Sequence, residues 1–187
     1  LKVQETKIKG LLVIKPRVFE DERGYFFESF NQDTFTKATG LDTVFIQDNE
    51  SKSVSGVLRG LHFQIPPMGQ AKLVRVNRGR VLDVAVDLRQ GSPTFGKYEA
   101  VELSAENKLQ FYIPEGFAHG FLTLEDDTVF VYKCSQVYSR DHERSLKWDD
   151  PALAIQWGTT SPVVSEKDAL AEGLESFVSP FLEMKGA

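Results

Sequence analysis

Val81-Leu82-Asp83-Val84-Ala85-Val86-Asp87-Leu88 decides the fold. Leu82, Val84, Val86 and Leu88 recur at every second position and Asp83 and Asp87 fall between them, which is the period of a β-strand. The same period extends outward in both directions. Lys72, Val74 and Val76 alternate with Leu73 and Arg75, and Leu109, Phe111 and Ile113 share one side. Gly120 to Leu124 and Thr128 to Tyr138 read likewise. Asn77-Arg78-Gly79, Gly91-Ser92-Pro93 and Glu125-Asp126-Asp127 separate these runs with turn chemistry. Short strands at regular spacing predict a sandwich or barrel, and a jelly roll is one closed solution. Fourteen Phe and five Tyr against two Met fit a β-rich core.

Helices are few. Asn31 is placed to cap a short one ending at Gly40, and Ser165 to cap another that runs through Leu170 and Ala171 to near Gly173. The irregular segment Trp148 to Pro162 holds both tryptophans and is expected to pack against the sheet. With 187 residues, no repeat and no linker, one domain over residues 1–187 is expected.

Composition excludes several classes of function. A 41% hydrophobic and 26% charged chain is globular rather than disordered. Apolar runs are only a few residues long, far short of the roughly 20 a spanning helix needs, so no membrane segment is expected. Leu1 to Gly10 lacks the apolar core of a signal peptide. The net charge of −5 supplies no basic surplus to displace counterions, which argues against nucleic acid as a partner. A single cysteine, Cys134, permits no internal disulfide and fits a reducing, cytoplasmic setting.

Three histidines are the candidate acids, bases or ligands: His62, His119 and His142. Any one alone is more often structural. Strand alternation places Leu58, His62 and Gln64 on one face and Arg59 on the opposite one. Pro114-Glu115-Gly116-Phe117-Ala118-His119-Gly120 resembles the second motif of the cupin superfamily of small β-barrels. The first cupin motif normally carries His-x-His, whereas here the pair is His62-Phe63-Gln64, and Gln64 to Gln70 contains no carboxylate. Transition metals need three or more convergent ligands, so a cupin-type jelly roll (double-stranded β-helix) without metal or other cofactor is expected.

Further motifs make the resemblance specific. Gly56-Val57-Leu58-Arg59-Gly60-Leu61-His62-Phe63-Gln64, Lys72-Leu73-Val74-Arg75-Val76, Asp83 to Arg89, Ser92 to Lys97, Ile113 to Phe121, Tyr132-Lys133-Cys134 and Ser165-Glu166-Lys167-Asp168 follow one another in order. From about Lys15 to Asp168 this closely resembles the dTDP-4-dehydrorhamnose 3,5-epimerase family of deoxysugar biosynthesis. The resemblance implies epimerisation at C3 and C5 of a nucleotide-linked 4-keto-6-deoxyhexose through enolates. A carbon beside a ketone is weakly acidic, so the reaction needs a base on one face, an acid on the other and positive charge at the ketone oxygen.

By resemblance, His62 is the base, Asp168 orients it, Tyr132 is the opposing acid and Lys72 places charge near the enolate. Arg23 and Arg59 match diphosphate-binding positions, and Tyr138 an aromatic that stacks on thymine. Phe26, Glu28, Gln47, Asp48, Asn49, His119, Glu143 and Lys167 match further substrate-binding positions. Each has a plainer reading: Asp168 a helix cap three residues after Ser165, Tyr132 a core aromatic, Lys72 an edge lysine, Tyr138 a strand end. Arg59 aimed away from His62 suggests a homodimer whose subunits share active sites. The rival functions are a single-carbon epimerase, a nucleotide-sugar-binding cupin without activity, and a metal-dependent cupin enzyme.

Overall fold

The computed structural model describes residues 1–182; the last five residues of the expected 1–187 domain lie outside the described part. Its strands are β1 (Lys2–Glu5), β2 (Leu12–Lys15), β3 (Phe19–Asp21), β4 (Gly24–Phe26), β5 (Gln47–Ser53), β6 (Leu58–Gln64), β7 (Lys72–Arg78), β8 (Arg80–Asp87), β9 (Tyr98–Ser104), β10 (Gln110–Ile113), β11 (Phe117–Thr123), β12 (Thr128–Cys134) and β13 (Glu143–Ser145). A six-stranded sheet, β1-β2-β10-β7-β12-β5, faces a five-stranded sheet, β13-β6-β11-β8-β9. All the strand pairings are antiparallel. This is the expected jelly-roll architecture. The hairpin β3–β4 forms a separate two-stranded sheet.

The core lies in three layers. Val74, Val76, Val81, Ala85, Phe111, Ile113, Phe121 and Phe130 fill the space between the sheets. Burying each of the larger side chains stabilises the fold by about 1.5–3 kcal/mol. Leu58, Leu61, Phe63, Val84, Val86 and Leu122 face the other way, under a cover that includes Leu153, Trp157 and Phe181. The tryptophan segment therefore packs on the five-stranded sheet, as its composition suggests. On the far side of the six-stranded sheet, Leu12, Ile14, Leu73 and Tyr112 pack against Phe35 of helix α1 (Gln32–Thr39).

The strand that opened the analysis keeps its period, with both faces covered. Asp83 and Asp87 are fully buried rather than wet. Asp87 is held by Arg89, Ser92 and Thr94, and Asp83 by His119.

Helix α1 follows its signals: Asn31 Oδ1 accepts from the Thr34 amide, and Gly40 closes the helix at φ 73°. Helix α2 spans only Glu166–Ala169, shorter than the expected run to Gly173. The strand expected over Thr128 to Tyr138 ends at Cys134.

Candidate active site

Between the sheets, beside the edge strand β5 of one and the penultimate strand β6 of the other, lies a cavity of about 490 Å³. The five-stranded sheet contributes Arg59 and His62 from β6 and His119 from β11. The six-stranded sheet contributes Lys72 from β7 and Tyr132 from β12. Helix α2 adds Lys167 and Asp168. A smaller lobe shares His62, Lys72 and Tyr132 and adds Gln47, Asn49, Tyr138 and Glu143. His62 and Tyr132 thus reach the same space from opposite walls.

Asp168 Oδ1 lies 2.6 Å from His62 Nε2. The Gly60 amide donates to Oδ2 at 3.3 Å. The two readings of Asp168 turn out to be compatible. Its backbone N–H donates to Ser165 Oγ at 3.1 Å, so Ser165 does cap α2. The Asp168 side chain turns away from that cap to His62. Burial, the largest single influence, works against its ionisation, but the hydrogen bond and charge of His62 together with the bonds from Gly60 and Ser165 outweigh it and hold the carboxyl below the ordinary range.

Regular alternation fails at β6. His62 pairs with His119, yet Arg59 pairs with Phe121, so three steps on β6 match two on β11. The extra residue is a β-bulge, which shifts facing by one position. Arg59 therefore joins His62 in the cavity, and Leu58 turns out to the opposite core beside Leu122. The expectation that Arg59 points away from His62, and that Leu58 shares the His62 face, is corrected by this bulge. Gly60 makes it possible: its φ is +128°, and a Cβ there would lie 2.5 Å from Gly120 Cα and 2.8 Å from the His119 carbonyl oxygen. Only glycine permits that backbone-on-backbone approach.

The remaining polar groups have distinct environments. Lys72 is 9% exposed, and burial lowers its pKa despite the nearby Cys134, Asp83 and Glu143. Its ammonium lies 6.0 Å from the centre of the Tyr132 ring. Burial raises the Tyr132 pKa, which keeps the phenol protonated. His119 Nε2 lies 2.9 and 3.1 Å from the Asp83 carboxylate oxygens. Burial pushes the His119 pKa down and that of Asp83 up, and the pairing of the two groups opposes both shifts. Glu143 accepts from the Tyr138 hydroxyl at 3.0 Å and pairs with Lys167 at 2.6 Å.

Gln64, where a cupin metal ligand would be sought, is engaged structurally. Its amide nitrogen donates to the Met68 and Val137 carbonyls, and its oxygen accepts from the Ser139 amide. Among the described residues no group of three or more His, Cys, Asp or Glu is arranged to hold a metal ion. His142 bonds Ser139 Oγ at 2.7 Å and lines neither lobe.

Some expected site residues lie elsewhere. Alternation on β5 turns Gln47 and Asn49 inward and Asp48 outward, where it pairs with Lys133. Arg23 and Phe26 sit on the β3–β4 hairpin and line a different surface hollow. Glu28 accepts from Asn31 Nδ2 and lines neither lobe. The sequence reading passed over Asp83, which lies outside both lobes but bonds the cavity residue His119, although an aspartate inside an apolar strand run was a usable signal. It also passed over Ser51, for which residue type gave none.

The chain matches the family described as dTDP-4-dehydrorhamnose 3,5-epimerase over residues 5–176. It is 54% identical over 168 residues to the dTDP-4-dehydrorhamnose 3,5-epimerase of Shigella flexneri, covering 90% of this chain and 93% of that protein. The crystal structure of dTDP-4-dehydrorhamnose 3,5-epimerase from Elizabethkingia anophelis superposes with a TM-score of 0.89 at 52% identity, covering 93% and 96% of the two chains. The dTDP-6-deoxy-D-glucose-3,5-epimerase of Legionella pneumophila, in complex with dTDP-4-keto-L-rhamnose, superposes with a TM-score of 0.93 at 46% identity, covering 100% and 99%. With the fold and nearly the whole length in agreement, this chain belongs to the dTDP-4-dehydrorhamnose 3,5-epimerase family.

Proposed function

We propose that this chain converts dTDP-4-dehydro-6-deoxy-D-glucose to dTDP-4-dehydro-L-rhamnose by inverting C3 and C5 in turn. The observation that carries the reading is the arrangement of His62–Asp168 on one wall and Tyr132 with Lys72 on the other. Donating Nε2–H to Asp168 leaves Nδ1 as the basic nitrogen of His62. His62 removes the proton beside the ketone, and Asp168 stabilises the imidazolium that results. The electron pair moves to the ketone oxygen, where the Lys72 ammonium stabilises the enolate. Tyr132 then delivers a proton to the opposite face of the carbon, and solvent reprotonates the phenolate while the imidazolium returns its proton to solvent. Repetition at the second carbon completes the reaction. No step requires a metal or redox cofactor.

Arg59, His119, Lys167, Gln47, Asn49, Tyr138 and Glu143 bind the nucleotide sugar in this reading, all from within the two lobes. Arg23, Phe26 and Glu28 act on the site of a second subunit. The β3–β4 hairpin supports this, because among the described residues it pairs with no other strand and leaves Phe19, Tyr25 and Phe26 exposed at 51%, 57% and 69%. The enzyme is then a homodimer of single jelly-roll domains working in the cytoplasm. The dimer no longer depends on Arg59, which reaches its own cavity.

Incubation with dTDP-4-keto-6-deoxyglucose in deuterated water, read by NMR, tests the reaction. Deuterium at both C3 and C5 with formation of the L-rhamno product is expected. Label at one carbon restricts the enzyme to a single epimerisation, and no label removes the proposal.

A further inference from the structure

The segment joining β12 to β13, residues 135–142, carries Tyr138 to the second lobe of the cavity. None of its residues is buried, and Val137 and Tyr138 are 46% and 56% exposed. A loop that buries no side chain takes its position from hydrogen bonds rather than from packing. At its centre those bonds come from glutamine side chains. Gln70 Nε2 donates to the Gln136 carbonyl at 2.7 Å, and Gln64 Nε2 to the Val137 carbonyl at 3.2 Å. Gln47 Oε1 accepts from the Tyr138 amide at 2.9 Å, and Gln64 Oε1 from the Ser139 amide at 2.7 Å. Residues 136 to 139 are thus each held by a glutamine, from β5, from β6 or from the turn before β7.

Gln64 is the pivot of the three. It is 4% exposed, and its amide nitrogen also donates to the Met68 carbonyl at 2.6 Å. It therefore donates twice and accepts once, which neither a carboxylate nor a neutral imidazole at this position could do. The far end of Tyr138 is tied as well, because its hydroxyl donates to Glu143 at 3.0 Å. The ring is fixed at its backbone and at its tip while more than half of the residue stays open. That is the form of a platform for a flat aromatic group.

We propose that Gln64 is a positioning residue: through the backbone of Val137 and Ser139, and with Gln70 in support, it holds Tyr138 ready to stack on the base of the nucleotide sugar. This rests on the substrate class and on the binding role of Tyr138 proposed above. A ring ordered before the ligand arrives spares binding the cost of ordering it. The base is remote from the reacting carbons and keeps its contacts in the transition state, so loss of Gln64 acts on KM rather than kcat.

The test is a double-mutant cycle of Gln64→Met with Tyr138→Ala. It is read by calorimetric titration with dTDP, at a temperature where thermal melting shows each variant folded, and by steady-state kinetics. Tyr138→Ala removes the stack itself and is expected to weaken dTDP binding about ten-fold or more. Gln64→Met keeps the length of the side chain and removes its three bonds. It is expected to weaken dTDP binding about two- to ten-fold, the ordering cost of one side chain, and to raise KM by a similar factor with kcat near wild type. In the Tyr138→Ala background it is expected to cost no further affinity, because no platform is left to position. Gln70→Met removes a single bond and is expected to show a smaller loss with the same dependence on Tyr138; it carries the test if Gln64→Met does not fold. An undiminished loss in the Tyr138→Ala background overturns the proposal, since Gln64 then acts on the ligand or the fold directly. So does unchanged dTDP affinity in Gln64→Met, and so does a fall in kcat at unchanged KM. If wild type binds dTDP and Tyr138→Ala binds it equally well, Tyr138 is not the platform and the proposal falls with it. Wild type that does not bind dTDP overturns the substrate class itself.

Discussion

Asp168→Asn separates catalysis from helix capping, because the backbone and side chain of this residue do different things. Asparagine has nearly the same shape and keeps the backbone N–H that donates to Ser165 Oγ. It removes the negative charge 2.6 Å from His62 Nε2. A hydrogen bond to a charged partner is worth about 1.5–3 kcal/mol, which corresponds to roughly a 10- to 150-fold loss in rate when the imidazolium forms. The loss is expected equally in turnover and in solvent deuterium uptake at C3 and C5, since both pass through the same imidazolium. Ser165→Ala is the control: losing the cap costs about 1 kcal/mol and lowers the melting temperature by about 2–4 °C, with a smaller effect on rate. Acid adds a second readout. The folded state depresses the Asp168 carboxyl pKa, so its contribution to stability is fully present above the unfolded value and is lost as pH falls through the folded one. The difference in stability, wild type minus Asp168→Asn, should therefore shift against the wild type on acidification. Near-wild-type turnover and exchange in Asp168→Asn, with melting lowered as in Ser165→Ala, would refute the dyad and leave Asp168 a helix-start residue.

Two further variants probe other parts of the site. Tyr132→Phe deletes one hydroxyl from a ring packed against Phe130. It should lower epimerisation about 10²–10⁴-fold while substrate still exchanges deuterium by return of the proton to the same face, and equal loss of both signals would remove Tyr132 as the opposing acid. Gly60→Ala places a methyl against the backbone of His119 and Gly120 and forces a strained φ. It should cost about 3 kcal/mol or more and lower the melting temperature by about 6–12 °C, whereas a wild-type melting curve would show that the bulge yields easily.

The fold was legible because alternation survives along most strands, and the turn residues between them are the ones such turns require. Lys72 shares its face with Val74 and Val76, and Tyr132 with Phe130 and Cys134, as period-2 reading predicts. The same reading failed for Arg59, because a bulge is one residue of difference between two strands and cannot be seen in either alone. Asp83 and Asp87 show a related limit: alternating polarity suggests a wet face, but both aspartates are buried against their own partners. The direct pairing of His62 with His119 is a property of register between β6 and β11, which residue patterns do not specify. Ser51 was invisible for another reason. Its place in the cavity wall follows from the packing of β5 against the other sheet, which its residue type does not signal.

The 106-residue separation of His62 and Asp168 has a kinetic consequence. The pair closes a loop containing seven of the thirteen strands, so its formation belongs among the late events of folding. Recovery of turnover during refolding should consequently lag behind recovery of β-sheet circular dichroism. Asp168 also rides on a single helical turn capped by one serine hydroxyl. Segments of this kind open at free energies well below that of global unfolding. With Asp168 in its proposed role, local opening of one turn switches off the chemistry while the barrel remains folded, and inactivation by mild denaturant should precede loss of the sheets.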